Sequence, residues 1–394
     1  MTEEMRLLLI VLAALATALL LSFGATPLVR NFAFRIGAID DPKRDDRRMH
    51  KEPIPRIGGL AIFFGFLVSV MIFADIDTQL RGILFGMVVI VVLGLIDDIS
   101  PLPALLKFVV QIGAALIPVL SGVRIEVFTN PNFLSASAYL ELGRWSIPIT
   151  VFWIVAITNS VNFIDGLDGL AVGVSSIAAF SMLIIAMMLI MPNIAVVAAA
   201  LAGACVGFMP YNMNPAKIFM GDVGATSIGF ILACLSVQGL FKFYALISFA
   251  VPFMILALPI FDEVFAIVRR LLKGQSPMSP DRGHVHHRLI DMGFNQKQAV
   301  AIMYTMSGIL GVSAVVLTAS GEIRAIIVLG VALIIAGLFI KLFLMPSMKR
   351  REEVQQDTKQ EIEEVSEPEE SETSELTVTQ ENNTDEMAPD QPEE

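Results

Sequence analysis

Four short segments hold most of the residues able to do chemistry: Asp97-Asp98, Asn159 through Asp168, Asn212 through Asp222, and Arg282 through His287. In the second, Asn159, Asn162, Asp165 and Asp168 recur every three residues. Neighbours at that spacing share a helix face. Oxygen donors so arranged suit Mg²⁺, which takes one or two protein carboxylates and completes its shell with water and substrate phosphate. A polar helix end is the plainer alternative, but four acid or amide groups in ten residues exceed what capping requires. In the third segment Asp222 lies between Gly221 and Gly224, just before an apolar run resumes. Phosphate or metal can approach the main chain there, and a following helix would offer its first amides to an anion. Asp222 is therefore the first choice for a metal ligand, a role compatible with an N-cap. Asp97 and Asp98 repel one another unless water, a cation or a proton lies between them, which is useful for activating a nucleophile.

All four histidines, His50, His284, His286 and His287, stand beside arginines or lysines such as Lys51, Arg282 and Arg288. No cysteine is near, and the arginines would oppose zinc, so binding of phosphate or pyrophosphate fits the mixture better. The plainer view is that these are simply basic loops on the inner side of a membrane.

The elements that must position these groups are apolar. With 55% hydrophobic residues, 16% charged residues and a mean hydropathy of +0.71, the chain is too apolar for a soluble globule of its 394 residues. The fold class expected is an all-α polytopic membrane protein. Runs able to cross about 30 Å of hydrocarbon begin at Leu7, Ile57, Gly82, Leu105, Pro148, Leu170, Ile194, Ala225, Phe243, Ala299 and Arg324. They make about eleven transmembrane helices. With the Arg30–Arg56 loop inside, 21 of 27 lysines and arginines fall on that side. That bias sets the N-terminus outside and the C-terminus in the cytoplasm, and it brings all four polar segments to the cytoplasmic face. Ionisable groups cost about 2.5–3.5 kcal/mol each at a helix centre, so they gather where water and protein can solvate them. The connection from Ser121 to Ile147, on the outer side, alternates apolar and polar residues and predicts a small hairpin.

The net charge of −11 misleads, because residues 352–394 hold 17 of the 38 acidic residues and one basic residue. The remainder has a net charge of +5. Residues 1–345 are expected to form the multi-span domain with a cytoplasmic cleft, and 346–394 an acidic disordered tail. Cys205 and Cys234 lie in apolar spans and imply no disulfide.

Further segments complete the pattern: Gly37-Ala-Ile-Asp40-Asp-Pro42, Pro53-Ile-Pro55-Arg56-Ile-Gly58-Gly59, Leu95-Ile-Asp97-Asp98, Pro215-Ala-Lys217-Ile-Phe219-Met-Gly221-Asp222, and Pro280-Asp281-Arg282-Gly-His284-Val-His286-His287-Arg288. Taken in order with the Asn159 segment, they resemble the polyprenyl-phosphate N-acetylhexosamine-1-phosphate transferases of the glycosyltransferase family 4 type. The likeness is greatest to bacterial undecaprenyl-phosphate N-acetylglucosamine-1-phosphate transferases that begin teichoic-acid linkage units. It covers about Pro27 to Gly293. It implies Asp222 as the principal Mg²⁺ ligand, with Mn²⁺ as a substitute, and Asn162 as an assisting amide. It puts Phe219 against uracil, with Asp168 and Asn212 near the nucleotide. His50, Lys51, Arg282, His286 and His287 are implied at the substrate, and Asp97, Asp98, Asp165 and His284 at the reaction. Asp97-Asp98 is followed by Ile99-Ser100-Pro101, where many relatives carry a charge at the last position, so no role is carried over there.

The implied donor is UDP-N-acetylglucosamine and the implied acceptor undecaprenyl phosphate, giving UMP and a lipid-diphosphate-sugar that starts a cell-envelope glycan. The partners are thus a UDP-sugar, a polyprenyl phosphate and the membrane, with no nucleic acid, and a homodimer is left open. The setting is the bacterial cytoplasmic membrane. Attack by the lipid phosphate itself and a phospho-enzyme on Asp97 or Asp98 both stay open. Two rivals remain: a transferase for UDP-N-acetylmuramoyl-pentapeptide, and a transporter of lipid-linked intermediates. Transport predicts charges near the bilayer midplane and on both sides, whereas these carboxylates cluster at one boundary.

Overall fold

The computed structural model describes residues 2–40, 53–129, 139–240, 247–272, 274–275 and 283–319, with 330, 334 and 337 besides. The expected substrate contacts His50, Lys51 and Arg282, most of the span expected from Arg324, and the tail lie outside the described residues.

The chain runs through α1 (Glu3–Ile36), β1 (Ile39–Asp40), β2 (Ile54–Pro55), α2 (Gly59–Phe73), α3 (Thr78–Ile99), α4 (Ala104–Leu120), β3 (Val127–Thr129) and β4 (Tyr139–Glu141). It continues through α5 (Ser146–Phe163), α6 (Leu170–Met188), α7 (Pro192–Asn212), α8 (Gly221–Leu235), α9 (Ile247–Ile255), α10 (Ala257–Leu272), α11 (Val285–Asp291) and α12 (Gln296–Ala319). Among the described residues, seven helical segments, α1, α3, α5, α6, α7, α8 with its continuation to Gly239, and α12, are long and apolar enough to cross a membrane, and α2 and α4 are apolar but shorter. The protein is an all-α polytopic membrane protein by this measure. The span expected from Phe243 differs from the reading. Its described part is the nine-residue α9 followed at once by α10, whose last turn carries Arg269 and Arg270.

Local signals explain the boundaries. The Thr2 side chain accepts from Met5 N at 3.3 Å and Asp77 from Leu80 N at 2.7 Å, starting α1 and α3. Gly37, at φ 74°, closes α1 in the left-handed region. Because α1 has 34 residues, it is ~50 Å long and overshoots a bilayer core, carrying Arg30 to Lys217, whose carbonyl accepts from Arg30 Nε at 3.2 Å. β3 and β4 pair antiparallel, as the alternation predicted, at the end of α4 and α5 away from the polar segments.

Small residues let the helices approach closely. A Cβ on Gly203 or Gly207 of α7 would lie 2.2 Å from the carbonyl oxygen of Leu15 or Leu19 in α1. One on Gly59 of α2 would lie 2.1 Å from Gly224 Cα in α8, and one on Gly94 of α3 2.5 Å from Val223 Cα. In lipid such packing, rather than hydrophobic transfer, holds helices together. It sets the start of α8 against α2 and α3, where the polar groups converge.

Candidate active site

Asp98 defines the floor. The start of α8 receives no side-chain cap from Met220, its own N-cap residue. Asp98 supplies one from α3 instead, its Oδ1 accepting from Asp222 N and its Oδ2 from Val223 N, each at 3.0 Å. A carboxylate suits the positive end of a helix and satisfies two amides that would otherwise be orphaned. The side chain has no exposure, and Arg56 Nη2 lies 3.5 Å from Oδ1. Asp98, expected among the reacting groups, thus has both oxygens engaged in holding the start of α8 and Asp222 in place. Gly221, at φ 70°, permits this, since a Cβ there would meet Arg56 O at 1.8 Å and Asp98 Oδ2 at 2.4 Å.

Asp97 faces the other way. Its Oδ1 accepts from Leu102 N at 2.8 Å and its Oδ2 from Lys107 Nζ at 3.0 Å. Lys107 also reaches Asp222 Oδ2 at 3.3 Å, so one ammonium bridges two carboxylates from different helices. Arg56 lies 3.7 Å from Asp40 as well as near Asp98. Burial opposes its positive charge, yet Asp98, Asp40, Asp222 and Asp97 together hold the guanidinium above its ordinary value. Asp165, just past α5, is pushed up to about 7 by burial and by repulsion from Asp222.

Above this floor opens a cavity of about 1030 Å³, lined by Asn162, Asp165, Asp168, Asn212, Phe219, Asp222 and His287 among others. Asp97, Asp98, His284 and His286 are not in its lining. Asp168 is occupied within the wall: its Oδ2 accepts from Asn214 Nδ2 at 2.9 Å and Ala216 N at 3.0 Å, bracing the turn that contains the cis Asn214–Pro215 bond. Asn212 donates to Ile218 O at 3.0 Å while its buried Oδ1 has no partner. Phe219, half-buried, is pinned by its backbone, donating to Pro55 O at 2.8 Å and accepting from Gly58 N at 2.9 Å.

The histidines divide. His287 lines the cavity. His284 bonds Asp262 of α10 through Nδ1 at 3.0 Å and stacks on Phe163 and His286, with centroids 5.9 and 5.7 Å apart. His286 is buried with neither ring nitrogen partnered, its edge against Gly166, where a Cβ would meet Nε2 at 2.3 Å. Burial and the neighbouring His287 push it down to about 3, so it carries no proton at neutral pH and supplies no positive charge to a phosphate. His286, expected at the substrate, thus stands outside the cavity lining and packs against Gly166, next to Asp165.

Lys107 and Asp262 were missed as site residues. Each had a signal: Lys107 is the sole charge in α4, and Asp262-Glu263 sits in a run otherwise apolar until Arg269.

The residues present fit Mg²⁺. Carboxylates outnumber cations on the floor, and Asp222, Asp165 and Asn162 present oxygens to the cavity. No group of three His, Cys, Asp or Glu among the described residues forms a metal cage. Such a donor set matches an ion that keeps most of its shell from water and phosphate rather than one needing a closed protein site.

Residues 80–240 match the family described as Glycosyl transferase family 4. The chain is 40% identical over 313 residues to the probable undecaprenyl-phosphate N-acetylglucosaminyl 1-phosphate transferase of Bacillus subtilis, covering 78% of this chain and 85% of the relative. It is 35% identical over 369 residues to the decaprenyl-phosphate N-acetylglucosaminephosphotransferase of Mycolicibacterium smegmatis, covering 86% and 89%. To the undecaprenyl-phosphate alpha-N-acetylglucosaminyl 1-phosphate transferase of Salmonella typhi it is 31% identical over 290 residues, covering 72% and 77%. With 40% identity over 78% of this chain and 85% of the relative, the chain belongs to glycosyl transferase family 4.

Proposed function

We propose that this enzyme transfers N-acetylglucosamine 1-phosphate from UDP-N-acetylglucosamine to undecaprenyl phosphate, releasing UMP and starting a cell-envelope glycan. One observation carries the reading: Asp222, tied through Lys107 to Asp97, lines a 1030 Å³ cavity at one end of a bundle of apolar helices. The volume is at the upper end of the roughly 300–1,000 Å³ usual for ligand sites, room for a nucleotide sugar. The names of these relatives favour this donor over a muramoyl-pentapeptide.

In the reaction an oxygen of the lipid phosphate attacks the β-phosphorus of the donor, a P–O bond forms, and the bond to the UMP oxygen breaks. Phosphoryl transfer asks mostly for positioning and charge stabilisation. Arg30, Arg56 and Lys217 line the cavity and are the cations available to an incoming phosphate, while Lys107, held by Asp97, steadies Asp222. Phe219 offers a ring to the base, and His287 stands on the cavity wall. Asp222 and Asn162 would hold Mg²⁺, with Asp165 beside them. When bound, the ion would draw charge from the diphosphate and the departing UMP.

The cleft faces the cytoplasm, where nucleotide sugars are, a reading supported by 21 of 27 lysines and arginines on that side of an eleven-span arrangement. Membranes containing the protein, incubated with UDP-sugar labelled in the hexosamine and in the β-phosphate, should yield organic-extractable product carrying both labels. Label that stays aqueous while lipid-linked sugar crosses the bilayer would replace the enzyme reading with transport. Capture of an aspartyl-phosphate at Asp97 would replace direct attack with a phospho-enzyme.

A further inference from the structure

We propose that Asp262 is a positioning residue for the transfer and acts through His284. This rests on the reaction proposed above. Asp262 has no exposed surface, a costly setting for a carboxylate unless its oxygens are taken up. Both are: Oδ1 accepts from Val285 N at 2.8 Å and Oδ2 meets His284 Nδ1 at 3.0 Å. The first contact caps α11, whose first residue is Val285 and which carries His287 to the cavity wall. The second is a different kind of contact, because it selects a tautomer. An ionised carboxylate can only accept, so Nδ1 carries the proton and Nε2 is left as the working nitrogen.

The ring is also fixed in plane. His284 lies between Phe163 and His286, at interplanar angles of 26° and 9°. His286 in turn abuts Gly166, the neighbour of Asp165. A carboxylate on α10 thus sets the register of a column of rings that ends against the loop bearing Asp165. His284 keeps 8% of its side chain exposed, whereas the Asp262 side chain keeps none. Of the pair only the imidazole has exposed surface, so Asp262 acts on the cleft through it.

The two contacts can be separated by substitution. In Asp262→Asn an amide oxygen can still accept from Val285 N, but the NH₂ group facing His284 is a donor, which forces the ring into the other tautomer. If capping of α11 were the whole role, Asp262→Asn would be silent and Asp262→Ala harmful. The expectation is instead that Asp262→Asn, eluting as a monodisperse detergent-solubilised protein, loses about a hundredfold in kcat, the lower range for a positioned proton carrier. KM for UDP-N-acetylglucosamine should change little, as for an interaction made mainly in the transition state. In a His284→Ala background the same change should have no further effect. Turnover like the unmodified protein's, or an equal loss in the His284→Ala background, overturns the proposal. Should Asp262→Asn not fold, His284→Asn serves: it keeps an N–H toward Asp262, lacks Nε2, and should fold yet lose turnover, whereas full turnover overturns the proposal. Absence of labelled lipid with the unmodified protein defeats the donor assignment first, and this inference with it.

Discussion

Two adjacent aspartates do unlike work, and substitution should separate them. Asp98 accepts two amides at the start of α8. Asp98→Asn puts an NH₂ group against one of them, so the expected result is a loss of about 1–3 kcal/mol in stability, seen as a lower thermal midpoint in detergent. Asp97→Asn keeps an acceptor for Leu102 N and should leave that midpoint nearly unchanged while turnover falls sharply, because Lys107 loses its anchoring charge. Asp222→Ala should insert and fold yet transfer no label; activity near normal would remove it as the metal ligand. His286 has its own signature. Its folded value, about 3, lies below the ordinary 6.5. The unfolded chain therefore takes up a proton first as the pH falls, and stability contributed by the neutral ring is lost between about 6.5 and 3. His286→Phe should flatten the decline of thermal midpoint with acidification. At this scale the sequence disclosed which residues gather at the cavity better than how each is held. Asp222 and Asn162, singled out by glycine and amide spacing, both line it. The different settings of Asp97 and Asp98 were not legible, since Asp98 finds its partners on a helix more than 120 residues away while Asp97 finds its own within ten.

Helix contacts decide where the acid groups sit, and glycines decide the helix contacts. Gly59→Ala would drive a Cβ into Gly224 Cα at 2.1 Å, a backbone atom that cannot turn aside. Overpacking of this kind costs about 1–3 kcal/mol, and because it separates α2 from the start of α8 it should lower turnover as well as thermal midpoint. Gly113→Ala is the control: nothing lies within 4 Å of its added carbon, and helix propensity alone should leave stability equal or slightly raised. The apolar runs made α1 through α8 legible. The division of the next run into α9 and α10 was not, because Pro252 and Pro259 lie in a stretch whose composition alone reads as one crossing.

For the whole molecule, orientation is the property on which access to substrate depends. In a variant lacking Cys205 and Cys234, a cysteine replacing Asp75 should react with a membrane-impermeant thiol reagent in intact cells. One replacing Ser100 should react only after the membrane is opened; the reverse pattern would turn the cleft outward. Removing residues 346–394 should leave transfer unchanged, since every group assigned to the reaction lies before Asp291. Lysine and arginine distribution points to an orientation, but the part that α11 takes in the cavity wall was not legible, because a seven-residue helix leaves almost no periodic trace. The tie from Asp98 to α8 and the contact of Gly94 with Val223 have a mechanical consequence. The third and eighth helices are therefore expected to move together, so that any widening of the mouth would come from the side that bears His287. A blocker shaped to the acidic floor would thus meet a surface of constant form, while one seated on the imidazole wall would have to follow a moving part.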